Sequence, residues 1–155
     1  MSDKAKPLVD LPKIKHVGFV VKNLAKAIKY YTTLFGWGPF EIRDFELKGY
    51  TFRGRISDCK MHVGMAHQGS LMIELIEPVE GETPHSEFLR EKGEGINHIG
   101  LGNVDDLGLC LTELAKEGIK PVYHVEFDYD GIDIEAVYLN TDEFGGIMIE
   151  LVQFL

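Results

Sequence analysis

From Ile14 to Val21 the chain alternates: Val17, Phe19 and Val21 fall on one side, His16, Gly18 and Val20 on the other. A two-residue period of this kind predicts a strand with one face packed. From Leu24 to Phe35 the apolar positions recur at helical spacing instead. Asn23 stands before this run with the chemistry of an N-cap, and Gly36 stands after it where a C-cap belongs. The pattern then returns to β. Strands are expected near Phe40–Leu47, Met61–Ala66 and Leu71–Glu77, with Tyr50–Arg55 as an additional candidate. Lys48-Gly49 and Gln68-Gly69 supply turn chemistry.

The same order recurs in the second half. His16-Val17-Gly18-Phe19-Val20 is echoed by His98-Ile99-Gly100-Leu101-Gly102, and Ile73-Glu74-Leu75-Ile76 by Ile149-Glu150-Leu151-Val152. Asp105-Asp106 caps a second helix, Asp106 to Lys116, and Gly118 follows it. Strands are expected near Pro121–Phe127, Ile134–Asn140 and Ile147–Phe154, with turns at Asp130-Gly131 and Gly145-Gly146. The chain is therefore an internal duplication of a βαβββ unit. It divides into an N-terminal tail (1–13), a first module (14–78), a linker with a short helix near Ser86–Lys92 (79–95) and a second module (96–155).

Strand phase singles out four residues. His16, Glu74, His98 and Glu150 each lie opposite an aliphatic or aromatic pair that must face the helices, and they occupy matched positions in the two modules. A pseudo-two-fold arrangement brings them together. Two carboxylates buried side by side repel, and a divalent cation removes that cost while accepting both imidazole nitrogen and carboxylate oxygen. Co, Ni, Zn, Mn or Mg all suit such a set, according to availability. The glycines two residues beyond each histidine leave room for an ion and a ligand. Among the other histidines, His67 and His85 are expected to be exposed, and His124 to be a hydrogen-bonded core residue. His62, in phase with Gly64 and Ala66, is expected to point into the cleft.

Composition narrows the partners. At 155 residues, with 45% hydrophobic content, the chain has the size and balance of a soluble globular domain. No apolar run is long enough for a bilayer, and the N-terminus lacks the apolar stretch of a secretory signal, so a cytoplasmic location is expected. A formal charge of −9 argues against nucleic acid. Arg43, Arg53, Arg55 and Lys60 make part of the first half locally basic, most simply as a solvated strand face. Cys59 and Cys110 form no CxxC pair and are expected to be inert thiols.

Paired βαβββ modules with His-x-Gly strands and closing Ile-Glu-Leu strands resemble the glyoxalase / bleomycin-resistance / extradiol-dioxygenase superfamily, the vicinal oxygen chelate fold, from about Ile14 to Phe154. Finer motifs are most similar to the methylmalonyl-CoA epimerases: Tyr30-Tyr31 before Leu34-Phe35-Gly36-Trp37, Ile73-Glu74-Leu75-Ile76-Glu77-Pro78, Asn97-His98-Ile99-Gly100, and Gly145-Gly146-Ile147-Met148-Ile149-Glu150-Leu151. The resemblance implies an α+β fold whose modules form a curved, partly closed eight-stranded mixed sheet with a metal-binding cleft. It implies one divalent ion on His16, Glu74, His98 and Glu150, with two positions open to a chelating substrate. It also implies a homodimer. The expected reaction is removal of a proton α to a carbonyl, with Glu150 as base, on a small-molecule thioester or thiol adduct. Epimerisation needs a second acid/base. The epimerases carry a Glu on the strand before the first module's last strand, and the nearest residue here is His62.

Glu74, where those epimerases often have Gln, matches the alternative of a glyoxalase I-type lactoylglutathione lyase. An extradiol-type dioxygenase would leave Glu74 surplus. A non-catalytic binding or resistance protein commonly lacks the ligands.

Overall fold

The computed structural model describes residues 5–155, so the first four residues of the expected tail lie outside the described residues. Its elements follow in the order β1 (Ile14–Val20), α1 (Leu24–Phe35), β2 (Glu41–Phe52), β3 (Arg55–Gln68), β4 (Leu71–Glu80), α2 (Pro84–Lys92), β5 (Gly95–Asn103), α3 (Leu107–Ala115), β6 (Pro121–Tyr129), β7 (Ile132–Leu139) and β8 (Met148–Phe154). Each half is βαβββ, and α2 lies in the connecting stretch. The strands form one closed barrel in the order β1-β4-β3-β2-β6-β7-β8-β5.

Local chemistry sets the helix ends. The Asn23 side chain accepts from Lys26 N at the start of α1, and Gly36 ends it at φ 68°, a left-handed conformation. Asp106 caps α3 in the same way through Leu109 N. Thr83 and Ser86 form a reciprocal capping box on α2, with Pro84 in its first turn.

The first module departs from expectation at one point. Tyr50–Phe52 does not form a separate strand; it continues β2 past a register shift between Leu47 and Tyr50. Lys48-Gly49 is thus a bulge, and the chain turns at Arg53-Gly54, where both residues take positive φ. The N-terminal tail also does more than trail: Val9 and Leu11 pack on the cluster of Val104, Leu107, Val137 and Leu151 beneath α3.

Apolar residues occupy both faces of the barrel wall. On the outside, Ile73 and Leu75 pack with Val21, Leu24 and Phe19 under α1, and Val137, Leu139 and Leu151 pack under α3. Inside, Tyr50, Phe52, Met61, Val63, Ile76, Tyr123, Val125, Ala136, Tyr138 and Met148 form the largest buried cluster.

The modules meet at two unequal seams. β1 and β5 pair antiparallel along most of their length, with His16 opposite Gly100 and Gly18 opposite His98. β2 and β6 pair only at Thr51↔His124 and Phe52↔Tyr123. Beyond those two pairs, side chains fill the seam. Phe45 meets Phe127 edge-on with ring centroids 5.8 Å apart, and lies near-parallel to Tyr129 at 6.5 Å. Arg43 bridges to Asp130 with two hydrogen bonds of 2.8 and 2.7 Å and sits 4.2 Å above the Tyr129 ring. Among the described residues, no helix is long and apolar enough to cross a membrane.

Candidate metal centre

Four strands, two from each module, deliver one side chain each to the barrel interior: His16 from β1, Glu74 from β4, His98 from β5 and Glu150 from β8. The alternation that packs Ile73 and Leu75 outward turns Glu74 inward, and Ile149 and Leu151 do the same for Glu150. His16, His98 and Glu150 are buried, and Glu74 keeps 18% of its side-chain exposure, facing the cavity.

The ligand atoms converge. His16 Nε2 lies 2.9 Å from Glu150 Oε2, 3.2 Å from His98 Nε2 and 3.4 Å from Glu74 Oε2. His98 Nε2 lies 3.2 Å from both Glu74 Oε2 and Glu150 Oε2. Ligands about 2.0–2.2 Å from a shared ion stand roughly 2.9–3.5 Å apart when they are neighbours in its coordination shell. The observed separations fall in that range. The residues fit a divalent ion.

Closeness at the β1–β5 seam depends on two glycines. A Cβ at Gly18 would lie 1.9 Å from the His98 ring, and one at Gly100 would lie 1.9 Å from the His16 ring. Around His98 the supporting contacts are specific. Its Nδ1 is 3.0 Å from Asn97 Oδ1, so Nδ1–H donates to the amide oxygen and Nε2 is left for the centre. Asn97 Nδ2 in turn donates to the Pro84 carbonyl. The Tyr138 hydroxyl is 3.3 Å from His98 Nε2 and 2.9 Å from His85 Nε2.

Electrostatics in the metal-free cluster follow from this crowding. Burial opposes the charge on His98, but hydrogen bonds to Glu150 and Glu74 outweigh it and raise its pKa to about 9. His16 is raised as well: burial opposes, and the Glu150 and Glu74 charges prevail. Burial would push both carboxyls up, yet the two imidazoles hold Glu74 and Glu150 below the usual carboxylate range. His85 has no such carboxylate partner; burial drops its pKa to about 3, so it is neutral.

Above the cluster lies a cavity of about 70 Å³, lined by Phe45, Met61, Val63, Tyr123, Phe127 and Tyr138 among others, with Glu74, Glu150 and His85 also in its wall. His62 does not reach it. On β3 the inward positions are Met61 and Val63, so His62 faces out, 44% exposed, and pairs with Asp44. The expected cleft-facing phase was one residue out, because Gly64 belongs to the face that meets Leu24 and Ile28 of α1. Two further expectations reverse. His85 is buried, because the capping box at Thr83 turns the start of α2 against the barrel. His124 is on the surface, 45% exposed, beside Glu135. Sequence reasoning missed Asn97, Tyr138 and His85 as supports of the site. Asn97 had a signal, since it directly precedes one of the four convergent residues; Tyr138 had none beyond its strand phase.

The sequence pattern of the Glyoxalase/Bleomycin resistance protein/Dioxygenase superfamily matches residues 15–136. Human mitochondrial methylmalonyl-CoA epimerase is 25% identical over 145 residues, covering 93% of this chain and 75% of that one. The uncharacterized protein YqjC of Bacillus subtilis is 23% identical, covering 91% of each. Among solved structures, a point variant of Streptomyces coelicolor methylmalonyl-CoA epimerase in complex with 2-nitronate-propionyl-CoA superposes with a TM-score of 0.69 at 20% identity, over 93% of this chain and 95% of that one. The epimerase from Mycobacterium tuberculosis gives 0.61 at 23%, over 98% and 93%.

Proposed function

The chain belongs to the glyoxalase / bleomycin resistance protein / dioxygenase superfamily, and on that premise we propose that it is a divalent-metal-dependent isomerase acting at the carbon α to a carbonyl group. The observation that carries this reading is the convergence of His16, Glu74, His98 and Glu150 within contact of a single point, beneath an apolar cavity. A divalent ion held there supplies Lewis acidity, which stabilises the negative charge that builds on a carbonyl oxygen as its α-proton departs.

The protein's own residues supply the rest. Glu150 takes the proton. Its carboxylate is ionised at neutral pH, lines the cavity and is held through one oxygen by His16 and His98. His98 is oriented by Asn97 and held rigid by the barrel wall. Phe45, Phe127 and the tyrosines line the cavity beside Glu150, so the charge that builds during proton removal forms in apolar surroundings. Proton return is assigned to the second carboxylate, Glu74, which lines the same cavity. With His62 facing outward, β3 presents Met61 and Val63 to the cavity rather than an acid/base group.

The named relatives make a thioester of the methylmalonyl type the first substrate to try. The ligand pair Glu74 and Glu150 favours a second reading, isomerisation of a thiol–aldehyde adduct as in lactoylglutathione lyases. Exchange of the α-proton in deuterated water, with and without a chelator, tests both. Glu150→Gln should reduce exchange by about 10²–10⁴-fold, the usual contribution of a positioned base. The circular dichroism spectrum should stay unchanged. Exchange at the wild-type rate in that variant would remove Glu150 from the role.

A further inference from the structure

We propose that His85, which is not one of the four converging residues, is a further ligand-contacting residue. Its Nδ1–H donates to an oxygen of the bound compound that lies outside the chelating pair. The inference rests on the metal-dependent reading above and deepens it, giving the substrate class a third, hydrogen-bond-accepting oxygen.

A chain of hydrogen bonds, each with its direction fixed by the one before, puts the hydrogen on that atom. Asn97 Nδ2 donates to the Pro84 carbonyl, so Asn97 Oδ1 is turned to His98 and accepts from His98 Nδ1–H. His98 Nε2 faces Glu74 Oε2 and Glu150 Oε2 at 3.2 Å each. Carboxylate oxygens only accept, so without an ion this nitrogen donates to them; with an ion its lone pair is taken. In neither state does it accept from the Tyr138 hydroxyl, 3.3 Å away. The Tyr138 hydrogen therefore goes to His85 Nε2, at 2.9 Å. His85 is neutral, being buried and second in α2, at the positive end of that helix. A neutral imidazole that accepts at Nε2 carries its hydrogen on Nδ1.

That donor has no acceptor in the protein. Among the described residues, His85 Nδ1 is the only buried side-chain nitrogen or oxygen without a hydrogen-bond partner. Its surroundings leave it little freedom to find one. Tyr138, Tyr123 and His98 pack edge-on to the ring, with centroids 5.4, 6.3 and 5.8 Å away. The start of α2 is pinned as well, by the capping box at Thr83, by Asn97 at Pro84 and by the Tyr50 hydroxyl at the Glu82 carbonyl. A buried N–H held this firmly without an acceptor is destabilising, and marks a contact completed from outside the protein. His85 lines the cavity beside Glu74 and Glu150, so a compound entering there is placed to complete it. The wall offers few other donors. Apart from the carboxylates its remaining polar members are Tyr123 and Tyr138, and the Tyr138 hydrogen is already given to His85.

The test uses probe pairs in which one methylene is exchanged for an ether oxygen, an acceptor that cannot donate. Butyrohydroxamic acid is set against methoxyacetohydroxamic acid, and pentanohydroxamic acid against 3-methoxypropionohydroxamic acid. Each is titrated into the cobalt(II)-loaded protein, with the visible absorption of the cobalt as readout and free cobalt as control. In at least one pair, the preference for the ether over the alkyl probe should fall about fivefold in His85→Phe, which keeps the ring and loses the donor. His85→Asn, whose amide N–H falls near the place of Nδ1, should retain part of the preference; His85→Gln, whose amide falls near Nε2, should not. In the unsubstituted protein, two-bond proton–nitrogen correlation spectra should show His85 as the Nδ1–H tautomer. A preference unchanged by His85→Phe in both pairs overturns the inference, and so does an Nε2–H tautomer. Should His85→Phe not fold, His85→Gln and the tautomer decide in its place. Cobalt that does not bind the unsubstituted protein, or that binds undiminished in Glu150→Gln, sinks the metal-dependent reading and this inference with it, an outcome read separately from the probe preferences.

Discussion

A side chain at position 18 or 100 has nowhere to go. The two glycines sit directly across the β1–β5 seam from the opposite module's histidine, and an added methyl would overlap the ring at 1.9 Å. The conflict is with a ring already fixed on its far side by Asn97 and Tyr138 for His98, so it is relieved only by moving the imidazole. Gly18→Ala should therefore displace His98 Nε2 from the other three ligand atoms. We expect at least a tenfold loss of metal affinity by isothermal titration and an overpacking cost of about 1–3 kcal/mol in denaturant unfolding of the metal-free protein. Metal affinity equal to wild type would mean that the closeness of the seam is not what assembles the centre. The same two positions explain why the candidate ligand pattern was readable at all: His-x-Gly repeated in matched strands is a signature of two backbones approaching around one point.

At the scale of elements, alternation made most of the fold legible. The start and end of α1, the N-caps Asn23 and Asp106, and the inward phase of Glu74 and Glu150 follow from local patterns. What failed was phase across a strand of mixed face. From Val63 to Ala66 both sides of β3 are packed, one inside the barrel and one beneath α1, so the face of Gly64 and Ala66 reads as the inner one and takes His62 with it. His85 was misread for a related reason: its burial comes from how α2 docks, a tertiary fact that the helix's own polar sequence hides. The seam between β2 and β6 was likewise invisible, because it is made by Arg43–Asp130 and three aromatic rings rather than by a ladder. This seam is the weakest part of the barrel wall, with two paired positions where the β1–β5 seam has six. Arg43→Ala removes the bridge and the cation above Tyr129. Amide exchange should accelerate in Glu41–Leu47 and Phe127–Tyr129 while β1 and β5 stay protected, with little change in overall stability, since the pair is solvent-exposed. Uniform acceleration across the barrel would instead make the seam part of one cooperative unit.

For the molecule as a whole, the centre couples folding to both protons and metal. In the metal-free protein, His16 and His98 have raised pKa values, so the stability they contribute is complete below 6.5 and is lost as pH climbs through about 9 for His98. Glu74 and Glu150 have lowered values, so theirs is complete above 4.5 and is lost on acidification through their depressed values. The cluster thus favours the metal-free fold most between 4.5 and 6.5, and its contribution declines from 6.5 toward 9. Metal inverts the alkaline side. An ion competes with the protons on the two imidazoles, so affinity rises as they dissociate, and at a hundredfold excess over Kd the fold gains about 2.7 kcal/mol. Thermal melts from about pH 5 to 9 should show two curves, one with chelator and one with zinc or cobalt, that lie close at the acid end and separate steadily as pH rises. The separation should collapse in Glu150→Gln, whose remaining ligands hold the ion more weakly. A chelated protein that gains stability between pH 6.5 and 9 would contradict the raised imidazole pKa values. Parallel curves would show that protons and metal do not share these four side chains.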